Sequence, residues 1–125
     1  MPAYGSATAV PAIYAGDSYT VWNAETPSTS TASQQVALIP NQDGGLYSIS
    51  VEIQFSGDPG SFEVDIQDAD TDTANAYQNL LGLYAITAVN SAFWARLEVQ
   101  LKSKFVRLYL ASRTNSVTLT AKVSR

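Results

Sequence analysis

The chain has 125 residues and a formal charge of −4, and it contains neither histidine nor cysteine. A single domain of this length buries roughly two-thirds of the surface that its unfolded chain exposes. The two missing residue types exclude disulfides, thiolate metal sites, histidine general bases, and Ser-His or Cys-His nucleophile pairs.

Only 14% of the residues are charged, against the roughly 25% usual in globular domains. The charge is unevenly placed. Residues 1–95 carry ten acidic residues and no basic one; residues 96–125 carry all seven basic residues and Glu98, so −10 and +6 sum to −4. Two readings follow: acidic and basic strands lying side by side in one sheet, or a bipolar surface that docks on copies of itself or on a partner. The acidic total does not suit a nucleic-acid binder.

In chain order, residues 1–16 hold Pro2, Tyr4, Gly5, Pro11, Tyr14 and Gly16 without clear periodicity. They read as an extended N-terminal arm in front of a single β-sandwich over 17–125. Tyr4, Val10, Ile13 and Tyr14 give the arm the apolar character of a clasp on a neighbouring molecule. No basic residue precedes the apolar part, so the segment does not read as a signal peptide, and the chain is expected to fold in the cytoplasm. No apolar run approaches the ~20 residues that span a bilayer.

Asp17–Trp22 reads as a strand, Asn23–Ser33 as a Ser/Thr/Pro loop and Gln34–Pro40 as a second strand, closed by a turn over Asn41–Gly45. The clearest signal follows. Tyr47, Ile49, Val51, Ile53 and Phe55 alternate with Ser48, Ser50, Glu52, Gln54 and Ser56, the period of two of a strand with one buried face. After Gly57–Gly60 the alternation resumes with Phe62, Val64 and Ile66, and the two strands are expected to form a hairpin. Residues 74–81 suit a helical turn and Leu83–Val89 a strand. Further alternation places Leu97, Val99 and Leu101 on one face, then Val106, Leu108 and Leu110, then Val117, Leu119, Ala121 and Val123. About eight short strands and no long helix predict an all-β antiparallel sandwich, jelly-roll or immunoglobulin-like.

Candidate sites are few. Asp68, Asp70 and Asp72 match the first three ligand positions of a calcium loop, but Thr73 stands where that loop needs Gly and Asn79 where it needs a bidentate Glu. The stretch is expected to be a turn capped by its own Asp side chains, with no metal. Glu52, Glu63 and Asp65 are carboxylates on exposed phases of strands, without the setting of an acid/base pair. Trp22, Trp94, Tyr84 and Tyr109 read as a sugar-stacking platform or an oligomer contact, unless the two Trp fill the core of the sandwich. Arg107 and Lys122 fall on outward phases and are candidate partner-facing cations. No catalytic residue and no cofactor are expected.

Two segments, "VEIQFSGDPGSFEVDIQDADTDTANAY" and "SKFVRLYLASRTNSVTLTAKVSR", resemble small β-sandwich proteins among the virion genes of tailed bacteriophages. They cover roughly 40% of the chain. The resemblance implies a non-enzymatic particle component, such as a capsid decoration or cement protein. It would bind the major capsid protein or another virion protein and copies of itself, and would not bind nucleic acid or membrane. It would be made in the host cytoplasm and reside in the virion. The alternative is a carbohydrate- or receptor-binding module of a phage tail or fibre.

Overall fold

The computed structural model describes Tyr4 and residues 10–39, 47–86, 94–101 and 103–125. These residues form ten strands: β1 (Ala12–Ile13), β2 (Ser18–Glu25), β3 (Thr31–Ala32), β4 (Val36–Leu38), β5 (Tyr47–Phe55), β6 (Ser61–Ala69), β7 (Gln78–Ile86), β8 (Trp94–Leu101), β9 (Phe105–Arg113) and β10 (Leu119–Ser124). One 3-10 turn, Ala74–Ala76, lies between β6 and β7.

The strands make two sheets. Sheet one runs β1-β4-β9-β6-β7, with β3 also on β9; sheet two runs β2-β10-β5-β8. All pairings are antiparallel except β1 with β4. When the two-residue strands β1 and β3 are set aside, the other eight order as first–eighth–third–sixth in sheet two and second–seventh–fourth–fifth in sheet one. That winding is a jelly roll, which settles the choice the sequence left open. An immunoglobulin sandwich would keep several consecutive strands paired; here, among the described residues, only β6 and β7 are chain neighbours paired in one sheet.

The expected hairpin between residues 47–55 and 62–66 is therefore corrected. β5 lies in sheet two and β6 in sheet one, so residues 57–60 carry the chain from sheet to sheet. Alternation marks a strand with one buried face, and that face looks the same whether the next strand lies beside it or across the core. The Phe55 and Phe62 rings meet across the core with centroids 4.5 Å apart. Gly60 makes the crossing possible: its φ is +71°, and a Cβ there would lie 2.8 Å from the Thr114 side chain. The turn at 114–115 docks on it through Asn115 N–H to the Pro59 carbonyl, 3.0 Å.

The core is built from the predicted inward phases, including Ile49, Val51, Ile53, Val64, Ile66, Val106, Leu108, Leu110, Leu119, Ala121 and Val123. Trp22 joins it. The expected strand Gln34–Pro40 shortens to Val36–Leu38, because Ser33, Gln34 and Gln35 are buried polar residues between β3 and β4. There the Ser33 hydroxyl accepts from the Leu108 N–H at 2.9 Å. The expected loop Asn23–Ser33 contributes the end of β2 and all of β3. The turn over Asn41–Gly45 and residues 87–89 of the expected strand lie outside the described residues.

The start of the chain differs from the expected free arm. Ile13 is a core residue, 2% exposed, and β1 pairs with β4. The Tyr4 N–H donates to the Ala32 carbonyl beside β3, at 3.2 Å. Where described, the segment thus lies along the edge of sheet one and occupies backbone groups that an edge strand would otherwise present. Val10 is half-buried, and Tyr14 remains exposed at 59%.

Candidate functional site

The most organised polar cluster sits on the outer face of sheet one. Gln67 on β6 and Arg107 on β9 face each other in register. The connection from β6 to β7 folds back over this pair and brings Asp72 and Tyr77 to it, while Tyr4 reaches the same place from the N-terminal segment. Asp72 accepts three hydrogen bonds: its Oδ1 from the Tyr4 and Tyr77 hydroxyls, both at 2.9 Å, and its Oδ2 from Gln35 Nε2 at 2.8 Å. Behind Gln35, the buried Gln34 amide donates to Gln35 Oε1 at 2.7 Å.

Arg107 is 8% exposed. Its guanidinium carbon lies 4.6 Å from the Tyr4 ring centroid and 4.2 Å from that of Tyr77, and the two rings meet edge to face at 5.5 Å. Its Nε donates to Gln67 Oε1 at 2.8 Å, and Gln67 Nε2 donates onward to Asn79 Oδ1 at 2.9 Å. A cation between two aromatic faces, near a carboxylate that both phenols bind, is a mutually supporting arrangement.

The electrostatics follow from these contacts. Burial pushes the Asp72 carboxyl up, but the hydrogen bonds from Gln35, Tyr77 and Tyr4, with the charge of Arg107, outweigh it and hold its pKa below the ordinary value. Burial, then the bond to Asp72, raises both tyrosines, Tyr77 strongly. Burial lowers Arg107, which the surrounding tyrosines and Asp72 partly offset. Each shift fixes the neutral-pH state: carboxylate ionised, phenols protonated. Proton-transfer catalysis wants groups poised near the working pH. This cluster holds its protons, and its chemistry is that of a fastening.

One group is poised. Asp65, on β6 of the same face, is 5% exposed. Burial, then a hydrogen bond with Glu63 and that group's charge, pushes it up to about 7. Across the sheet Asp65 faces Tyr109 on β9 and Gly82 on β7. Burial and the neighbouring carboxylate both favour the protonated form of Asp65.

The sequence candidates are thus redistributed. Of the Asp trio, Asp72 is turned onto the domain and Asp70 is exposed. No group of three or more metal-ligating side chains forms among the described residues. Arg107 was expected to face a partner and is buried instead, because the Asp72 loop and Tyr4 cover its strand phase. Tyr4 and Ile13, expected to clasp a neighbour, bind their own domain. Lys122 is half-buried on β10, in register with Thr20 on one side and Glu52 on the other. The sequence missed Gln34, Gln35, Gln67 and Tyr77. No local pattern marks them, since their roles arise from contacts between segments distant in sequence.

The outer face of sheet two is different. Lys122, Glu52 and Arg96 stand in one row across β10, β5 and β8. Arg96 lies 3.8 Å from Glu52 and 3.3 Å from Glu98. Here the acidic and basic halves of the sequence interleave as neighbouring strands. A shallow groove of about 520 Å³ beside them is lined by Ser48, Ser50, Gln100, Ser124, Arg96 and Glu98, among others. Trp22 is in the core and cannot serve a sugar platform; the side chains of Trp94 and Tyr84 lie outside the described residues. Among the described residues no helix is long and apolar enough to cross a membrane. Comparison with protein-family models and with curated proteins finds no match to this chain.

Proposed function

We propose that the chain is a non-enzymatic structural protein of a bacteriophage particle, a decoration protein that stabilises the shell by binding capsid subunits and copies of itself. The observation that carries this reading is the use made of the polar cluster. Tyr4, Gln35, Gln67, Asp72, Tyr77 and Arg107 bind one another and fasten loop and N-terminal segment to the sandwich. These bonds hold both segments against sheet one. The two segments that carry the resemblance supply the second half of β5 and all of β6, β9 and β10, each an inner strand of its sheet. The jelly roll is also an architecture of viral capsid domains, which supports the reading only as analogy.

The test is co-sedimentation with purified phage capsids lacking the protein. Saturable binding, with greater resistance of the particles to heat, is expected. No binding to any capsid, together with affinity for a glycan, would replace this reading by the second one. That second reading, a carbohydrate- or receptor-binding module of a tail or fibre, is favoured by the hydroxyl-rich groove on sheet two.

A further inference from the structure

The four edges of this sandwich are unequal. On one side of sheet one, the N-terminal segment runs along β3 and β4. On its other side, β7 pairs with β6 through a register shift. In sheet two, β2 pairs with β10 through two register shifts. Bulges and covering segments are the usual means of blunting an edge. β8 has neither: it pairs with β5 over eight consecutive residue pairs without a shift, and among the described residues nothing pairs with its outer side.

The side chains of β8 are suited to one occupant. Arg96, Glu98 and Gln100 are exposed, while Ala95, Leu97 and Val99 pack on the core yet stay only partly buried. Set a second β8 antiparallel to the first with the two-fold axis at Leu97. Arg96 of each copy then faces Glu98 of the other, twice over. Leu97 meets Leu97, and Ala95 meets Val99. Shifting the pairing by two residues along either strand moves the axis to Arg96 or Glu98, where like charges meet, so the charges select one register. Arg96 is free to re-pair, because its side chain is 61% exposed despite its contacts with Glu52 and Glu98.

We propose that β8 pairs with β8 of a second copy, antiparallel about Leu97, and joins two four-stranded sheets into one eight-stranded sheet. The proposal rests on the reading that the protein associates with copies of itself, and names the surface that does so.

The experiment uses the full chain and reads mass by light scattering across a concentration series. A dimer is expected. Arg96→Glu or Glu98→Arg alone should weaken it about tenfold, since each places like charges opposite one another twice. The double variant Arg96→Glu/Glu98→Arg should recover it. Both positions are exposed, so folding is not at stake, and circular dichroism checks this. Leu97→Cys introduces the sole thiol of the chain; a short bismaleimide should link it into covalent dimers, while Ser18→Cys, on the opposite edge strand, should still dimerise but give no covalent dimer. A dimer that ignores the charge reversals and does not cross-link at residue 97 overturns the β8 surface and leaves self-association standing. A monomer up to the solubility limit overturns the proposal and the self-association beneath it, whereas capsid binding is read separately by co-sedimentation.

Discussion

The outer faces of the two sheets use their polar side chains in opposite ways. Over sheet one, Asp72 takes hydrogen bonds from three residues far apart in sequence, Tyr4, Gln35 and Tyr77, and Arg107 is enclosed between two tyrosine rings. Over sheet two, Glu52, Arg96 and Lys122 lie in one row, in which the exposed Arg96 stands 3.8 Å from the half-buried Glu52 and 3.3 Å from the exposed Glu98 outside it. Enclosed charge is strongly coupled to its partners, and solvated charge is weakly coupled. The first face should therefore carry stability and the second should be free for contact.

Removing the centre of the enclosed cluster should have the largest effect. Asp72→Ala leaves two phenols, one amide and a guanidinium without their anion, and should lower stability by about 2–3 kcal/mol, less than a fully buried ion would because Asp72 is half-buried. Denaturant unfolding measures this; a change below about 0.5 kcal/mol would break the contrast between the faces.

Next comes pH. The Asp65 carboxyl is raised to about 7 from an ordinary value near 4, so the folded state holds a proton that the unfolded chain releases. Stability from this group is complete below pH ~4 and is lost as pH rises to about 7. Asp72, being lowered, works in the other sense: its contribution is present above its ordinary pKa and is lost as pH falls through its folded value. Asp65→Asn should flatten the decline between pH ~4 and 7 and raise stability at pH 8 by about 1–2 kcal/mol. Melting curves across pH would show whether the slope survives the substitution.

Tyr4→Phe sharpens the comparison from the side of the N-terminal segment. The ring stays beside Arg107 and only the bond to Asp72 is lost, so a loss of about 1 kcal/mol is expected. Hydrogen exchange at the Tyr4 and Ala37 amides reports whether the segment also loosens; faster exchange at both would tie the latch to β1. On the open face, Glu52→Ala should change stability by no more than about 0.5 kcal/mol. A larger loss would mean that the Lys122–Glu52–Arg96 row behaves as a network. Calcium should change nothing: melting with calcium and with chelator should coincide, because both Asp72 oxygens are already engaged. Occupancy at 100 times Kd would add about 2.7 kcal/mol, so a rise of that size would be plain.

The sequence by itself determined the all-β class, the inward phases of the long strands and the outward phases of Glu52, Arg96 and Lys122, because alternation at period two follows from the pleat and needs only local information; that these three stand in one row was decided by register. It also showed, through Thr73 and Asn79, that the Asp-rich stretch lacks the residues of a calcium loop. Tertiary structure alone decided that β5 and β6 lie in different sheets, since a buried face does not say which neighbour buries it. Tertiary structure likewise turned Arg107 inward. On its strand it occupies a solvent phase, and it is enclosed because residues 72–77 of the β6–β7 connection and Tyr4 of the N-terminal segment cover it. The N-terminal segment shows the same limit. It has no periodicity, yet Ala12–Ile13 pair in sheet one; a parallel pairing of two residues, one buried Ile13, one backbone bond from Tyr4 and one phenol–carboxylate bond are too short to leave a pattern in sequence, and they join it to its own domain.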